Sequence, residues 1–143
     1  MSVVLRHITR RTGKGERGQS LVEFTLVLPI FLLVLFAIID FGMAFNAWIT
    51  VTNSAREGAR VGTVGASAGD IETRVRDAAS ALEQADLTVT ITNAQGVSGE
   101  SVVVDVSYAY SLITPLSSIM GLVSGGTIGD TLNVSSTADM RLE

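Results

Sequence analysis

From Leu26 to Ile39 the sequence reads LVLPIFLLVLFAII, an unbroken apolar run, and Leu21, Val22 and Phe24 extend it backwards past Glu23. The nineteen residues from Leu21 to Ile39 therefore carry a single charge, close to the roughly 20 residues a helix needs to cross a bilayer core. The central run has no amphipathic periodicity, as expected when lipid or packed helices surround a helix on all sides. It reads as a membrane-inserting helix, and few folds accommodate such a segment in any other way.

The rest of the composition narrows the chemistry. The chain has 143 residues, no cysteine and one histidine, His7. That excludes a disulfide framework, a thiolate zinc site, iron–sulfur ligation, a cysteine nucleophile and a multi-histidine metal centre. Hydrophobic residues make up 47% and charged residues only 17%, so part of the apolar content lies outside an ordinary globular core. No cofactor and no metal are expected.

The charges are sorted along the chain. Arg6, Arg10, Arg11, Lys14 and Arg17 face Glu16 alone, a net +4 over residues 1–18, whereas twelve acidic and five basic residues follow from Asp40 onward. A basic segment without interleaved aromatics lacks the stacking platform of single-strand binding, so no nucleic-acid partner is expected. Before an apolar run it reads as a cytoplasmic flank. Three membrane readings then compete: a secretory signal cut near Gly42-Met43-Ala44, a permanent single-pass anchor, and a leader cut before the apolar run so that the run is retained.

Specific residues support the third. Around the junction the sequence is Arg17-Gly18-Gln19-Ser20-Leu21-Val22-Glu23-Phe24. A basic leader, a glycine, four residues and then Glu-Phe opening an apolar helix resemble the class III, or prepilin, signal. The resemblance implies cleavage by a prepilin peptidase between Gly18 and Gln19. Glycine would leave an unhindered, extended backbone for the peptidase cleft. Glu23, the fifth residue after that cut, costs about 2–3 kcal/mol at the centre of a spanning helix and less near its end. Its expected role is to pair with the new α-amino group of Gln19, in its own or a neighbouring subunit. Glu23, Phe24 and Pro29 thus form a candidate helix-assembly set.

From Arg17 to Gly62 the chain resembles the TadE-like family of minor pilins or pseudopilins of tight-adherence, Flp-type pilus systems. The match rests on the G-x-x-x-VEF-like opening, the Pro-containing apolar run, the step Asp40-Phe41-Gly42 and the segment Ala55-Arg56-Glu57-Gly58-Ala59-Arg60. The ending, Thr137 to Glu143, looks like the family's terminal strand. The resemblance implies a non-catalytic pilus-assembly component whose partners are prepilin peptidase, other pilin or pseudopilin subunits, an inner-membrane pilus platform and the lipid bilayer. The TadG-like set shares this opening but carries a larger exported domain than the present chain could hold.

Pro29 removes a hydrogen bond to the Thr25 carbonyl, so a kink or local loosening is expected there. Asp40 with Phe41, Phe45 and Trp48 marks the expected membrane boundary. Gly58 and Gly62, one helical turn apart, allow close approach of another backbone. With Arg56, Glu57 and Arg60 they form a candidate interface, against the plainer alternatives of a helix end and a solvated charge cluster.

Past a small-residue loop (64–70), Ile71, Val75, Ala78, Ala79 and Leu82 predict a helix of about fifteen residues, capped by Gly69 or Asp70. Leu87, Val89 and Ile91 alternate with threonines in a strand. Asn93 to Gly99 reads as a hairpin loop, and Ser101 to Leu112 as a second strand with Val102, Val104, Val106 and Tyr108 on one face. Ile113 to Val123 holds Pro115 and a short helix. After the turn SGGTIGD, Leu132, Val134 and Ser136 begin a last strand. The expected fold class is α+β: a long hydrophobic transmembrane helix and a second helix on a three-stranded, mostly antiparallel sheet, pilin-like. The expected parts are a cytoplasmic leader (1–18), the membrane helix and its extension (19–65) and an exported α+β domain (66–143). They place the chain in a bacterial inner membrane, amino end inside and carboxy-terminal domain outside, with the option of entering an extracellular fibre. No phosphate cradle, acid pair or calcium-loop spacing is present. The competing function is an uncleaved membrane-anchored adhesin or envelope scaffold.

Overall fold

The computed structural model describes residues 15–125 and 131–143. The cations Arg6, Arg10, Arg11 and Lys14, His7, and most of the turn SGGTIGD lie outside the described residues. The elements are α1 (Gly15–Gly62), α2 (Ala68–Ala78), a short 3-10 turn (Gln84–Asp86), β1 (Leu87–Thr92), β2 (Ser101–Ser111), α3 (Leu116–Ser124) and β3 (Thr131–Arg141). This is the expected α+β class. The chain divides into two compact units, one ending at Leu35 and one spanning Phe36–Glu143.

In the first unit the apolar side chains stand in the open: Leu21, Val22, Phe24, Leu26, Val27, Ile30 and Phe31 are all at least 60% exposed. Pro29 lies inside α1, which continues through it without interruption. The loss of one donor toward Thr25 is absorbed within a helix whose flanking turns remain bonded, and the Thr25 hydroxyl itself donates to the Leu21 carbonyl at 2.8 Å. The expected kink is therefore not a break in the helix.

The second unit is built on one three-stranded sheet of order β1-β2-β3, antiparallel throughout. The register pairs Leu87 with Tyr108, Val89 with Val106 and Ile91 with Val104 across β1 and β2. Across β2 and β3 it pairs Val102 with Met140 and Val104 with Ala138. One face is thus apolar apart from Ser136, which pairs with Val106. The opposite face holds rows of hydroxyls and acids, such as Thr90, Asp105 and Thr137, with the Thr137 hydroxyl donating to Asp105 at 2.6 Å.

The apolar face is covered by α2 and by the second half of α1. Val51, Ala55 and Ala59 join Ile71, Val75, Ala79, Val102, Val104 and Val106 in one buried cluster. The alternation of β1 and β2 and the stripe of α2 thus fall where periodicity places them, but α2 is shorter than expected. It stops at Ala78, and Ala78 is exposed while Ala79 closes the helix as its C-cap. The Gln84 side chain donates at 3.0 Å to the carbonyls of Ala79 and Leu82, and Arg76 donates to the Gln84 carbonyl, so the chain turns where a fourth helical turn would stand. The cap at the other end is Ser67, not Gly69 or Asp70. Its hydroxyl accepts from the Asp70 amide and donates to the Asp70 carboxylate at 2.7 Å, a reciprocal cap that satisfies an otherwise orphaned helix donor.

Gly58 is the tightest contact in this packing. A Cβ there would land inside the Val75 Cγ2 methyl and within 3.4 Å of Ile71 and Val104. Gly42 has open space around the same position. Gly58→Ala should therefore destabilise the second unit by about 1–3 kcal/mol through overpacking. Gly42→Ala should be neutral or stabilising by about 0.5–1 kcal/mol. Thermal unfolding of the two variants in detergent checks the contrast; equal melting points would refute the packing account.

Candidate functional site

The sequence-selected residues fall into two groups, one in each unit. In the first, Gly18 and Gln19 are exposed and helical, since α1 already begins at Gly15. The Gly18–Gln19 bond thus lies in the opening turns of a helix, where fraying is easiest. The Gln19 side-chain amide donates to Glu23 Oε1 at 3.1 Å, one turn away. Glu23 therefore already has a local partner in the uncut chain. Phe24 is 60% exposed, and Pro29 also faces outward.

The second group begins at Asp40, which is 1% exposed. Coming straight after an apolar run and with no cation one turn away on α1, its carboxylate requires partners from elsewhere in the chain. They come from the segment between β2 and α3. Asp40 Oδ1 accepts from the backbone amides of Ile113 at 3.0 Å and Thr114 at 3.3 Å. Its Oδ2 accepts the Thr114 hydroxyl. A carboxylate saturated by such donors is held more strongly than neutral hydrogen bonds would hold it. The Asp40 side chain therefore faces the protein interior. Its neighbours in sequence remain outside: Phe41 is 66%, Phe45 60% and Trp48 45% exposed. The rings of Phe45 and Trp48 are in contact, with centroids 5.5 Å apart.

Beside Asp40 lies Tyr110, packed with Ala44 and Ala47. Burial pushes its phenol above the usual tyrosine range, with the Asp40 carboxylate and then Tyr108 adding to the shift. The phenolic oxygen has no hydrogen-bond partner among the described residues.

Within the second unit, Gly58 and Gly62 pack against α2 and β2. Gly58 approaches Val75, Ile71 and Val104, and a Cβ on Gly62 would lie 3.0 Å from both Val102 methyls. Glu57 is shared by two guanidiniums. Arg74 of α2 donates to its Oε1 through Nε at 3.1 Å, and Arg60 donates through Nη2 at 3.0 Å. The hydrogen bond from Arg74, then that from Arg60, holds the Glu57 carboxyl below the usual range. Arg56 is exposed. The close approach expected from the Gly58–Gly62 spacing is therefore internal, between α1 and the α2–β2 layer. Ile113, Thr114 and Arg74 were not singled out by sequence reasoning. An acid closing an apolar run with no cation one turn away was the available signal for the first two.

Residues 18–60 match the model of a family described as TadE-like protein. The matched region takes in the Gly18–Phe24 junction, Pro29, Asp40-Phe41-Gly42 and Ala55 to Arg60, so of the sequence-selected residues only Gly62 lies beyond it. No curated protein and no solved structure matches the chain.

Asp40→Ala should loosen residues 112–125, because two backbone donors lose their acceptor at about 1–3 kcal/mol each. Faster limited proteolysis in that segment, with Asp40→Asn intermediate, is the expected result. Glu57 gives a pH dependence. Its folded pKa is lowered, so its contribution is present above the ordinary glutamate range and is lost as pH falls through the folded value. Melting temperature followed downward from neutral pH should therefore fall less steeply in Glu57→Gln than in the parent.

Proposed function

We propose that the chain is a membrane-anchored component of a tight-adherence type pilus, a minor pilin or pseudopilin cut by prepilin peptidase between Gly18 and Gln19 and assembled through its hydrophobic helix. One observation carries the reading. A largely exposed apolar helical surface directly follows the Gly18–Phe24 junction, in the stretch that matches the TadE-like family. Such a surface has no stable place in water and needs lipid or other helices around it.

In this reading the basic leader stays in the cytoplasm, the apolar half of α1 crosses the inner membrane, and the chain from Asp40 onward lies outside. Cleavage requires the first turn or two of α1 to unwind in the peptidase. Removing residues 1–18 gives Gln19 an α-amino group one turn from Glu23, on the same helical face. The Gln19 amide that now occupies Glu23 then competes with a cation for the carboxylate, at the end where helices would pack side by side. The Asp40 clasp and the Gly58 packing tie the later part of α1 into the second unit. The assembly contacts are accordingly assigned to the exposed stretch from Phe24 to Ile39.

Intact mass of protein extracted from membranes should show loss of residues 1–18. Gly18→Val should retain them and abolish pilus production, because a β-branched side chain would obstruct the cleft. Full-length protein in functional cells would overturn the processing and favour the uncleaved anchored scaffold, which the helical Gly18 also suits.

A further inference from the structure

The second unit carries its own exposed apolar surface, away from the run that spans Leu21 to Ile39. Ile113 is 63% exposed and Leu122 86% exposed. Phe41, at 66%, and Leu132, at 37%, add to the exposed apolar area of this unit. Single exposed apolar residues are ordinary, and Val64 and Val97 are such cases in loops. The group at α3 differs in three respects. It borders a mostly apolar cavity of about 330 Å³ lined by Ala37, Phe41, Leu112, Leu116, Met120 and Leu132, with Asp40 its one charged residue. It belongs to a stretch with no charged residue from Val106 through Gly129. And its level is fixed, because the amides of Ile113 and Thr114 are bonded to Asp40, the residue directly after the last apolar residue of the run.

We infer that Ile113 and the outward face of α3, with Leu122 at its centre, insert into the headgroup–acyl boundary of the same bilayer that α1 enters. The inference rests on the reading of α1 as a membrane anchor. If Leu21 to Ile39 fills the hydrocarbon, Asp40 lies one helical rise, about 1.5 Å, beyond its edge. The segment clasped to Asp40 is then held at headgroup depth. Short helices that lie in this layer bury their apolar side a few ångströms deep. Here the opposing side chains are uncharged. Leu116 and Ser117 turn inward and are buried, while Ser118 and Leu122 face out. The contact is therefore apolar, without attraction to anionic lipid. A lipid surface is favoured over a protein partner because the patch continues directly from the membrane segment through the Asp40 clasp.

The absence of native cysteine makes the test direct. Single nitroxide labels are placed at Leu122→Cys, Ile113→Cys, Ser135→Cys on the polar sheet face and Phe31→Cys in the apolar run. The full chain is reconstituted in phosphatidylethanolamine–phosphatidylglycerol vesicles. Collision with oxygen, which partitions into lipid, is compared with collision with a water-soluble nickel chelate. The expected oxygen-to-nickel ratio at positions 122 and 113 is several-fold that at 135 and unchanged when phosphatidylglycerol is omitted. A ratio at 122 and 113 equal to that at 135, with position 31 lipid-like, overturns the inference and leaves the anchor reading intact. A water-like value at 31 as well overturns both. Suppressed collision with both reagents at 122, with concentration-dependent dipolar broadening, assigns the patch to a second copy and overturns the lipid contact.

Discussion

Between Ala44 and Gly62 every buried residue of α1 is Ala, Gly, Ser or Val, and the second unit depends on that narrow seam. Small side chains let the helix axis come close enough for Val75 and Ile71 of α2 and the β2 valines to meet its backbone directly. Glycine in a helix interior costs about 1 kcal/mol relative to alanine, and at Gly58 the offsetting gain is the contact with Val75 that no Cβ would permit. Glu57 then reaches Arg74 from the edge of the same seam. The segment Ala55 to Arg60 is therefore a packing element as much as a surface motif.

The same helix meets two different solvents. Up to Ile39 its larger side chains are displayed outward; from Asp40 its buried side is small and its outward side mixed. The change happens within one turn and needs no break in the backbone ladder. It is marked by a carboxylate that has exchanged water for three donors, Ile113 N–H, Thr114 N–H and the Thr114 hydroxyl. Dehydrating a carboxylate without such partners would be prohibitive, so the loop after β2 and the end of the apolar run specify one another.

Much of this was legible in residue order. The alternation of Leu87, Val89 and Ile91, the valines of β2 and the spacing of Ile71, Val75 and Ala79 each encode a local period, and local periods survive folding when one face is buried. The class of fold followed from such periods, and the TadE-like resemblance from the residues of the Gly18–Phe24 junction, Asp40-Phe41-Gly42 and Ala55 to Arg60. What escaped was non-local or competitive. The partners of Asp40 lie 73 and 74 residues further along the chain, a separation that no spacing rule covers. Ser67 won the cap over Gly69 and Asp70 because a hydroxyl and a carboxylate three apart can bond reciprocally, a choice decided by backbone angles. Gly58 and Gly62 pack against side chains of the chain's own α2 and β2, and a spacing of four says nothing about whether an approaching surface belongs to the same molecule.

The clasp at Asp40 also has a timetable. A ribosome that makes about 5–20 residues per second delivers Ile113 roughly 4–15 s after Asp40, from the 73-residue separation. During that interval α1 is complete but its carboxylate has none of its final donors, so water or headgroups must serve in their place. The nascent helix thus carries a temporary polar stop at the end of its apolar run. If α1 spans a bilayer as proposed, that stop resists sliding deeper into hydrocarbon until the loop arrives to take over the bonds. An acid that is buried in the finished protein is then, for those seconds, the chain's brake.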